Sequence, residues 1–202
     1  DHRDLHSFPT RRSSDLSYDP LVAEILSQMD SARWMEAIAI LSGAQPVNTS
    51  QGEARIKTRS NLVMFEDGPT LSAFTYLKDT LKSFGFRQDL AFEVHTYDFP
   101  YSDQHRSRNW KNLILTFPGS DPQHQSEQVL LVAHLDSISP QEITLAPGAD
   151  DNATGAAGLL EAARILRQYQ FKRTIRLVWF SGEEYSRRSE EHTSELQSPN
   201  TI

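Results

Sequence analysis

The second half of the chain contains one histidine and five acidic residues that lie close to two apolar segments in the sequence. The residues concerned are His134, Asp136, Asp150, Asp151, Glu183 and Glu184. Several ionised carboxylates in one crevice repel each other strongly, and a divalent cation relieves that repulsion. Imidazole and carboxylate ligands without any thiolate are typical of a catalytic zinc site, and one carboxylate can bridge two metal ions. These residue types therefore predict a zinc centre, provided that the fold brings them together.

Two predicted strands with a helix between them supply such a fold. The apolar runs 129–133 and 175–180 have the length and composition of strands buried on both faces. The small-residue segment 153–168 between them has a helical pattern. A helix that connects two neighbouring strands leaves them parallel, and ligands bind outside the carboxyl ends of such strands. We therefore expect the residues that follow both strands to converge.

The reach of each side chain indicates a role. His134 is expected to bind metal as a neutral imidazole, and Asp136, two residues further along an extended segment, to orient its ring. Of Glu183 and Glu184, one is expected to bind metal while the other stays free as a general base. The glycines near 148–158 could also suggest a phosphate-binding loop. We reject this alternative because their spacing is not Gly-x-Gly-x-x-Gly and no Gly-Lys-Ser/Thr follows them.

The remaining segments predict further elements of one α/β domain. Apolar residues at three- and four-residue steps predict a helical segment over 17–45, broken near Asp30. A helix is predicted from 68 to 83, between an initiating proline and a terminating glycine. The alternating segment 92–99 predicts a strand near a sheet edge, and 110–117 predicts a second strand.

Composition excludes several classes of protein. The chain has 202 residues, a net charge of −7 and no cysteine, so disulfides and thiolate metal sites are excluded. No basic run is long enough to suggest a surface that binds nucleic acid. No segment approaches the ~20 consecutive apolar residues of a membrane-spanning helix, and no signal peptide begins the chain.

Both ends of the chain differ in character from the middle. Residues 1–16 and 188–202 lack any apolar period, and each resembles the translation of a sequencing-library adapter. We expect both segments to be non-native tails that pack against nothing. Residues 17–187 then form the partial domain.

Three motifs carry a resemblance to a known family. Ala133–Ser137, Ala146–Gly155 and Ser181–Glu184 resemble the M28 family of zinc aminopeptidases in order, spacing and strand context. The resemblance implies an α/β/α sandwich around a mixed, mainly parallel sheet, and a co-catalytic site with two Zn²⁺ ions. It also implies hydrolysis at the N-termini of peptides or proteins, and a secreted or periplasmic location.

The same resemblance implies a role for each site residue. His134 would bind one zinc, Asp150 would bridge both ions, and Glu184 would bind the second. Glu183 would act as the general base, and Asp136 would support His134. The Asp150–Asp151 peptide bond would be cis.

The sequence departs from the family pattern after Glu184. The pattern requires one more aspartate and one more histidine on later elements, and neither follows here. We therefore expect each zinc to lack a ligand, the chain as given to be inactive, and the sheet to end at an unpaired strand near Phe180.

Two other functions stay open. One is a single-zinc enzyme similar to glutaminyl cyclases, although the adjacent Asp150 and Asp151 favour two metals. The other is a non-catalytic peptidase-like module, although such a module has no need for His134, Asp150, Glu183 and Glu184 together.

Overall fold

The computed structural model describes residues 18–49, 52–65, 72–101 and 106–185. Its elements, in chain order, are α1 (Pro20–Ser27), α2 (Ser31–Leu41), β1 (Val47–Thr49), β2 (Gly52–Ala54), α3 (Ala73–Ser83), β3 (Phe92–Tyr101), β4 (Arg106–Phe117), β5 (Gln128–His134), α4 (Thr154–Leu166) and β6 (Thr174–Phe180). The adapter-like tails 1–16 and 188–202 lie outside the described residues, so their non-native origin stays a prediction.

A mixed four-stranded sheet in the order β3-β4-β6-β5 is the centre of the fold. β5 and β6 are parallel, as the helix between them predicts. β3 pairs with β4, and β4 with β6, in antiparallel fashion. The sheet is therefore mixed, but it is not mainly parallel in the part of the chain described. The reason is that β3 and β4 are consecutive strands with a short connection, so they run in opposite directions.

The position of β6 corrects one expectation. β6 does not end the sheet near Phe180, because it pairs with β4 on one side and with β5 on the other. The crossover through α4 places it between β5 and the β3–β4 pair. Among the described residues β5 has a neighbour on one side only, and Val129 and Val132 on this strand are 43% and 49% exposed. β3 forms the opposite edge, as predicted.

The hydrophobic core joins the sheet to the helices. Leu113 and Leu115 of β4 and Leu177 and Trp179 of β6 belong to one buried cluster with residues of α2, α3 and α4. The indole Nε1 of Trp179 donates to the Ala156 carbonyl of α4 at 2.9 Å. A second helical layer, which a full sandwich requires, is not seen among the described elements and stays a prediction.

Aspartate caps divide the N-terminal helical segment into two helices, as predicted. The Asp19 carboxylate accepts from the Leu21 amide at 2.8 Å, and the Asp30 carboxylate accepts from the Ala32 amide at 3.0 Å. Such caps satisfy amide groups that have no partner within the helix. α3 begins at Ala73, later than predicted, because Ser72 caps its N-terminus. The predicted start at 68–70 lies outside the described residues.

A buried ion pair fastens this helical segment to α4. Both oxygens of Glu161 accept from Arg164, at 2.8 and 2.6 Å, and Oε1 also accepts from the Asp30 amide at 2.8 Å. Arg164 donates in addition to the Gln28 carbonyl at 2.6 Å. Burial raises the pKa of Glu161, but these hydrogen bonds outweigh it and hold the pKa below its usual value. The junction of α1 and α2 is thus fixed by charged groups.

None of the described helices combines the length and the apolar character that crossing a bilayer requires.

Candidate metal centre

The carboxyl ends of β5 and β6 bring the predicted residues together. His134 is the last residue of β5, and Glu183 and Glu184 follow β6 after a short turn. Asp151 lies in an irregular turn, Ala149–Ala153, that leads into α4. The parallel pairing of β5 and β6 therefore places residues that are fifty positions apart at one edge of the sheet.

Three of these side chains form one donor group. His134 Nε2 lies 3.0 Å from Asp151 Oδ1, and one donor atom from each of His134, Asp151 and Glu184 lies within 4.8 Å of the others. One imidazole and two carboxylates suit a divalent ion such as zinc, which prefers nitrogen and oxygen ligands when thiolates are absent. Glu183 is close by, with its Oε2 4.0 Å from His134 Nε2.

The structure brings Asp151 to this group, not Asp150. The Asp150 side chain is exposed and outside the donor group, while its carbonyl accepts from the Thr154 hydroxyl at 2.7 Å. The backbone explains the difference, because Asp151 has non-helical torsion angles of φ −110° and ψ 99°. The carboxylates of Asp150 and Asp151 therefore leave the turn in different directions. The cis peptide bond is correspondingly Asp151–Asn152, one residue later than expected.

Asp136 contacts His134 at the end of β5 and Glu184 in the turn after β6. Its side chain is fully buried. Oδ2 accepts from the Glu184 amide at 3.1 Å, and Oδ1 lies 3.6 Å from His134 Nδ1. His134 Nδ1 also lies 3.2 Å from the Asp136 carbonyl oxygen. Asp136 therefore holds the imidazole with Nε2 facing the donor group, the arrangement expected of a residue that supports a metal ligand.

The negative surroundings change the acidity of two ligands. Burial lowers the pKa of His134, but the hydrogen bond and charge of Asp136, with the charges of Glu183 and Asp151, raise it to about 9. Burial and the nearby carboxylates also raise the pKa of Glu184. These surroundings favour positive charge at His134, and zinc binding would have to displace the proton that they favour.

The turn that carries the two glutamates is anchored on β3 and β4. The Ser181 amide donates to Asn112 Oδ1 at 2.9 Å, and the Tyr97 hydroxyl donates to the Ser181 carbonyl. Gly182 has φ +91°, and a Cβ atom there would lie 2.6 Å from the Trp110 ring. A glycine is needed here because the backbone is left-handed and passes directly over the indole.

Sequence reasoning missed two further groups around the centre. Arg59 is fully buried and hydrogen bonds to backbone carbonyls of the site loops. Tyr185 follows Glu184, and its hydroxyl donates to Glu142 and lies 2.6 Å from the Ser60 hydroxyl. Both lie in polar stretches without periodicity, so a single sequence offers no signal for them.

Comparisons with known proteins agree with this geometry. Residues 112–201 match Peptidase family M28, a range that includes part of the adapter-like C-terminal segment. Uncharacterized protein YfbL of Escherichia coli (strain K12) is 36% identical over 112 residues, which are 54% of this chain and 30% of that protein. Leucine aminopeptidase 1 of Trichophyton rubrum is 41% identical over 81 residues, which are 36% of this chain and 21% of that protein.

A solved structure agrees in fold. The glutaminyl cyclase of Porphyromonas gingivalis superposes with a TM-score of 0.55 at 23% identity, covering 86% of this chain and 54% of that one. The chain spans less than a third of the two curated relatives and about half of this structure. Over residues 112–201, which include β5, β6 and the donor group described above, the chain is similar to Peptidase family M28.

Proposed function

We propose that the protein is a zinc-dependent aminopeptidase that hydrolyses the N-terminal bond of peptides or proteins. The observation that carries this proposal is the donor group of His134, Asp151 and Glu184 with the separate carboxylate of Glu183 beside it. The match of residues 112–201 to Peptidase family M28 and the similarity to a protein named leucine aminopeptidase support the same reaction.

His134 Nε2, Asp151 and Glu184 are the groups that would hold zinc, and Asp151 takes the bridging role that the sequence assigned to Asp150. When bound, zinc supplies Lewis-acid chemistry, which polarises a carbonyl group and makes water more acidic. A second zinc ion is part of the proposal, and Asp151, whose carboxylate has two oxygens, would help to hold both ions.

Glu183 is the proposed general base. Its side chain is exposed, and it is not one of the three donors. It would take a proton from the attacking water and pass it to the leaving amine. Asp136 would hold His134 and the Glu184 backbone in place during both steps. A secreted or periplasmic location completes the proposal.

An assay of the full-length protein tests this function. We expect release of nitroaniline from an aminoacyl-nitroanilide, loss of this activity after chelation, and recovery when zinc is added back. Peptides with a blocked N-terminus serve as the control, because an aminopeptidase should leave them intact. Cleavage of blocked peptides, or full activity without metal, would contradict the proposal.

Glutaminyl cyclisation is the second candidate. The similarity in fold to a glutaminyl cyclase favours it, as does the fact that the described donors form a single group of three. A peptide that begins with glutamine separates the two reactions. A cyclase would reduce the peptide mass by one ammonia, whereas an aminopeptidase would release free glutamine.

A further inference from the structure

Arg59 is a charged side chain enclosed by backbone carbonyl groups beneath the metal centre. It is fully buried. Nε donates to the Leu135 carbonyl at 2.7 Å, and Nη2 donates to the Gly148 carbonyl at 2.8 Å. Nη1 donates to the Leu41 carbonyl at 3.1 Å and also to the Pro147 carbonyl. All three guanidinium nitrogens are therefore engaged.

The acceptors belong to the two segments that carry the metal ligands. Leu135 lies between His134 and Asp136, and Pro147 and Gly148 lead into the turn that carries Asp151. A guanidinium is planar and presents its donors in a fixed geometry. One side chain therefore sets the spacing between the end of β5 and the turn before α4.

The backbone of Arg59 strengthens this link. Its carbonyl accepts from the Ser137 amide at 3.3 Å, and the neighbouring Lys57 carbonyl accepts from the Ala146 amide at 3.0 Å. Gly148 has φ +45°, and a Cβ atom there would lie 2.7 Å from Arg59 Nη2. The absence of a side chain at Gly148 thus allows the guanidinium to reach the turn directly.

The charge of Arg59 is balanced by the acids of the centre. Each guanidinium hydrogen bond described here ends on a carbonyl, and the carboxylates that act on Arg59 through space are Asp136, Glu184 and Asp151. A buried charge is tolerated only when hydrogen bonds and opposite charges compensate it. The acidic cluster and the arginine thus stabilise each other.

We propose that Arg59 is a positioning residue of the metal centre, which holds the His134 and Asp151 segments at metal-binding distance. This inference depends on the proposed zinc site. Arg59 does not touch the metal or the substrate, and it acts through the backbone of Leu135, Pro147 and Gly148. The competing role is that of a core anchor, which would affect stability but not the affinity of the folded protein for zinc.

The substitution Arg59→Lys separates these roles in the 202-residue chain. Lysine keeps the positive charge, but its single amine cannot span the carbonyls of both segments. We expect zinc affinity, measured by competition with a chromophoric chelator, to fall by about 10- to 100-fold, as for other groups that orient metal ligands. The visible absorption bands of bound Co²⁺ should change as well, because they report ligand geometry.

Glu161→Gln is the matched control. It also disturbs a buried charged hydrogen-bond network, but on the side of α4 that faces the N-terminal helices. This variant should lose stability and keep the zinc affinity and Co²⁺ spectrum of the parent. A folded Arg59→Lys chain with parental affinity and spectrum would overturn the inference.

The unaltered chain provides a test that does not depend on the folding of a variant. In protein with ¹⁵N-labelled arginine, one solvent-protected Nε–H signal should move as zinc is added and stop moving when the site is full. A protected signal that ignores zinc would overturn the inference. If the parent chain binds no zinc at all, the proposed metal site itself is refuted.

Discussion

At the scale of single residues, the buried carboxylate of Asp136 links two members of the donor group, one at the end of β5 and one in the turn after β6. One oxygen faces His134 and the other accepts from the Glu184 amide. A change in the orientation of either strand end is therefore transmitted to the other. This arrangement explains why the donor group is assembled although the site contains several like charges.

Asp151 and Asp150 offer a paired test of the donor group. We expect Asp151→Asn to weaken zinc binding by at least about tenfold, because a direct ligand should matter as much as the groups that orient ligands. Asp150→Asn should bind zinc as the parent does, since its exposed side chain is not part of the donor group. Equilibrium dialysis with metal analysis measures both. Equal effects of the two substitutions would contradict the placement of Asp151.

The two glutamates should differ in what they lose. In the full-length protein, Glu183→Gln should retain zinc and lose turnover by roughly 10²–10⁴, because an amide cannot accept the proton. Glu184→Gln should instead lose metal during dialysis. Retention of peptide hydrolysis within tenfold of the parent by Glu183→Gln would refute its role as the base.

The sequence predicted the convergence of His134, Glu183 and Glu184, but not which aspartate joins them. Convergence follows from the βαβ pattern, which depends on hydrophobic periodicity. The choice between Asp150 and Asp151 depends on backbone torsion angles within one irregular turn, and no periodic pattern encodes them. Arg59 was missed for a related reason, because its partners are backbone carbonyls that have no sequence signature.

At the scale of elements, α4 links the metal centre to the N-terminal helices. Its first residues follow the Asp151 turn, and further along it Glu161 and Arg164 hold the junction of α1 and α2. The small residues that predicted this helix lie against the sheet, where Ala156 and Ala157 are buried. The same helix therefore supports both the site and the outer layer.

Glu161 should make stability depend on pH. Its pKa is lowered in the folded protein, so its contribution is complete above the unfolded value of about 4.3 and is lost as pH falls through the folded value. At pH 7, Glu161→Gln should lower the free energy of unfolding by about 1.5–3 kcal/mol.

Urea unfolding at pH 7, 5 and 3 measures this effect. The difference in stability between the parent and Glu161→Gln should shrink as the pH falls below the unfolded pKa, because protonation removes the charge that the folded protein stabilises. A difference that stays constant across this range would show that the charge of Glu161 does not stabilise the fold.

Local patterns predicted the elements better than their arrangement. The strands 92–99 and 110–117 and both N-terminal helices appear where periodicity placed them. The position of β6 was wrongly predicted, because this strand was expected at an edge and lies between β4 and β5. Hydrophobic periodicity does not determine whether a strand lies inside a sheet or at its edge.

At the scale of the whole molecule, the open side of β5 is the exposed edge of the described sheet. Unpaired strand edges with apolar side chains favour association between chains, and Val129 and Val132 are both half-exposed there. We expect Val132→Lys to reduce self-association of the 202-residue chain in light scattering, without a change in zinc affinity. Unchanged association would show that another surface is responsible.

The 202-residue chain should not hydrolyse peptides. The described donors are one histidine and two carboxylates. A catalytic zinc normally takes three protein ligands. Two zinc ions would therefore have to share these three donors. An aminoacyl-nitroanilide assay with added zinc checks this expectation. Zinc-dependent release of nitroaniline that Glu183→Gln abolishes would show that this set of ligands is sufficient.

The close contact between Gly182 and Trp110 limits how the family can vary at this turn. A methyl group at position 182 would collide with the indole, and the two glutamates that follow would be displaced. In a saturation library selected for activity, position 182 should tolerate glycine alone, although it has no chemical group to offer. A lineage that replaces Gly182 needs both a smaller residue in place of Trp110 and a turn that no longer uses a left-handed backbone. Substitutions at position 182 should therefore occur only in sequences that have also changed at position 110.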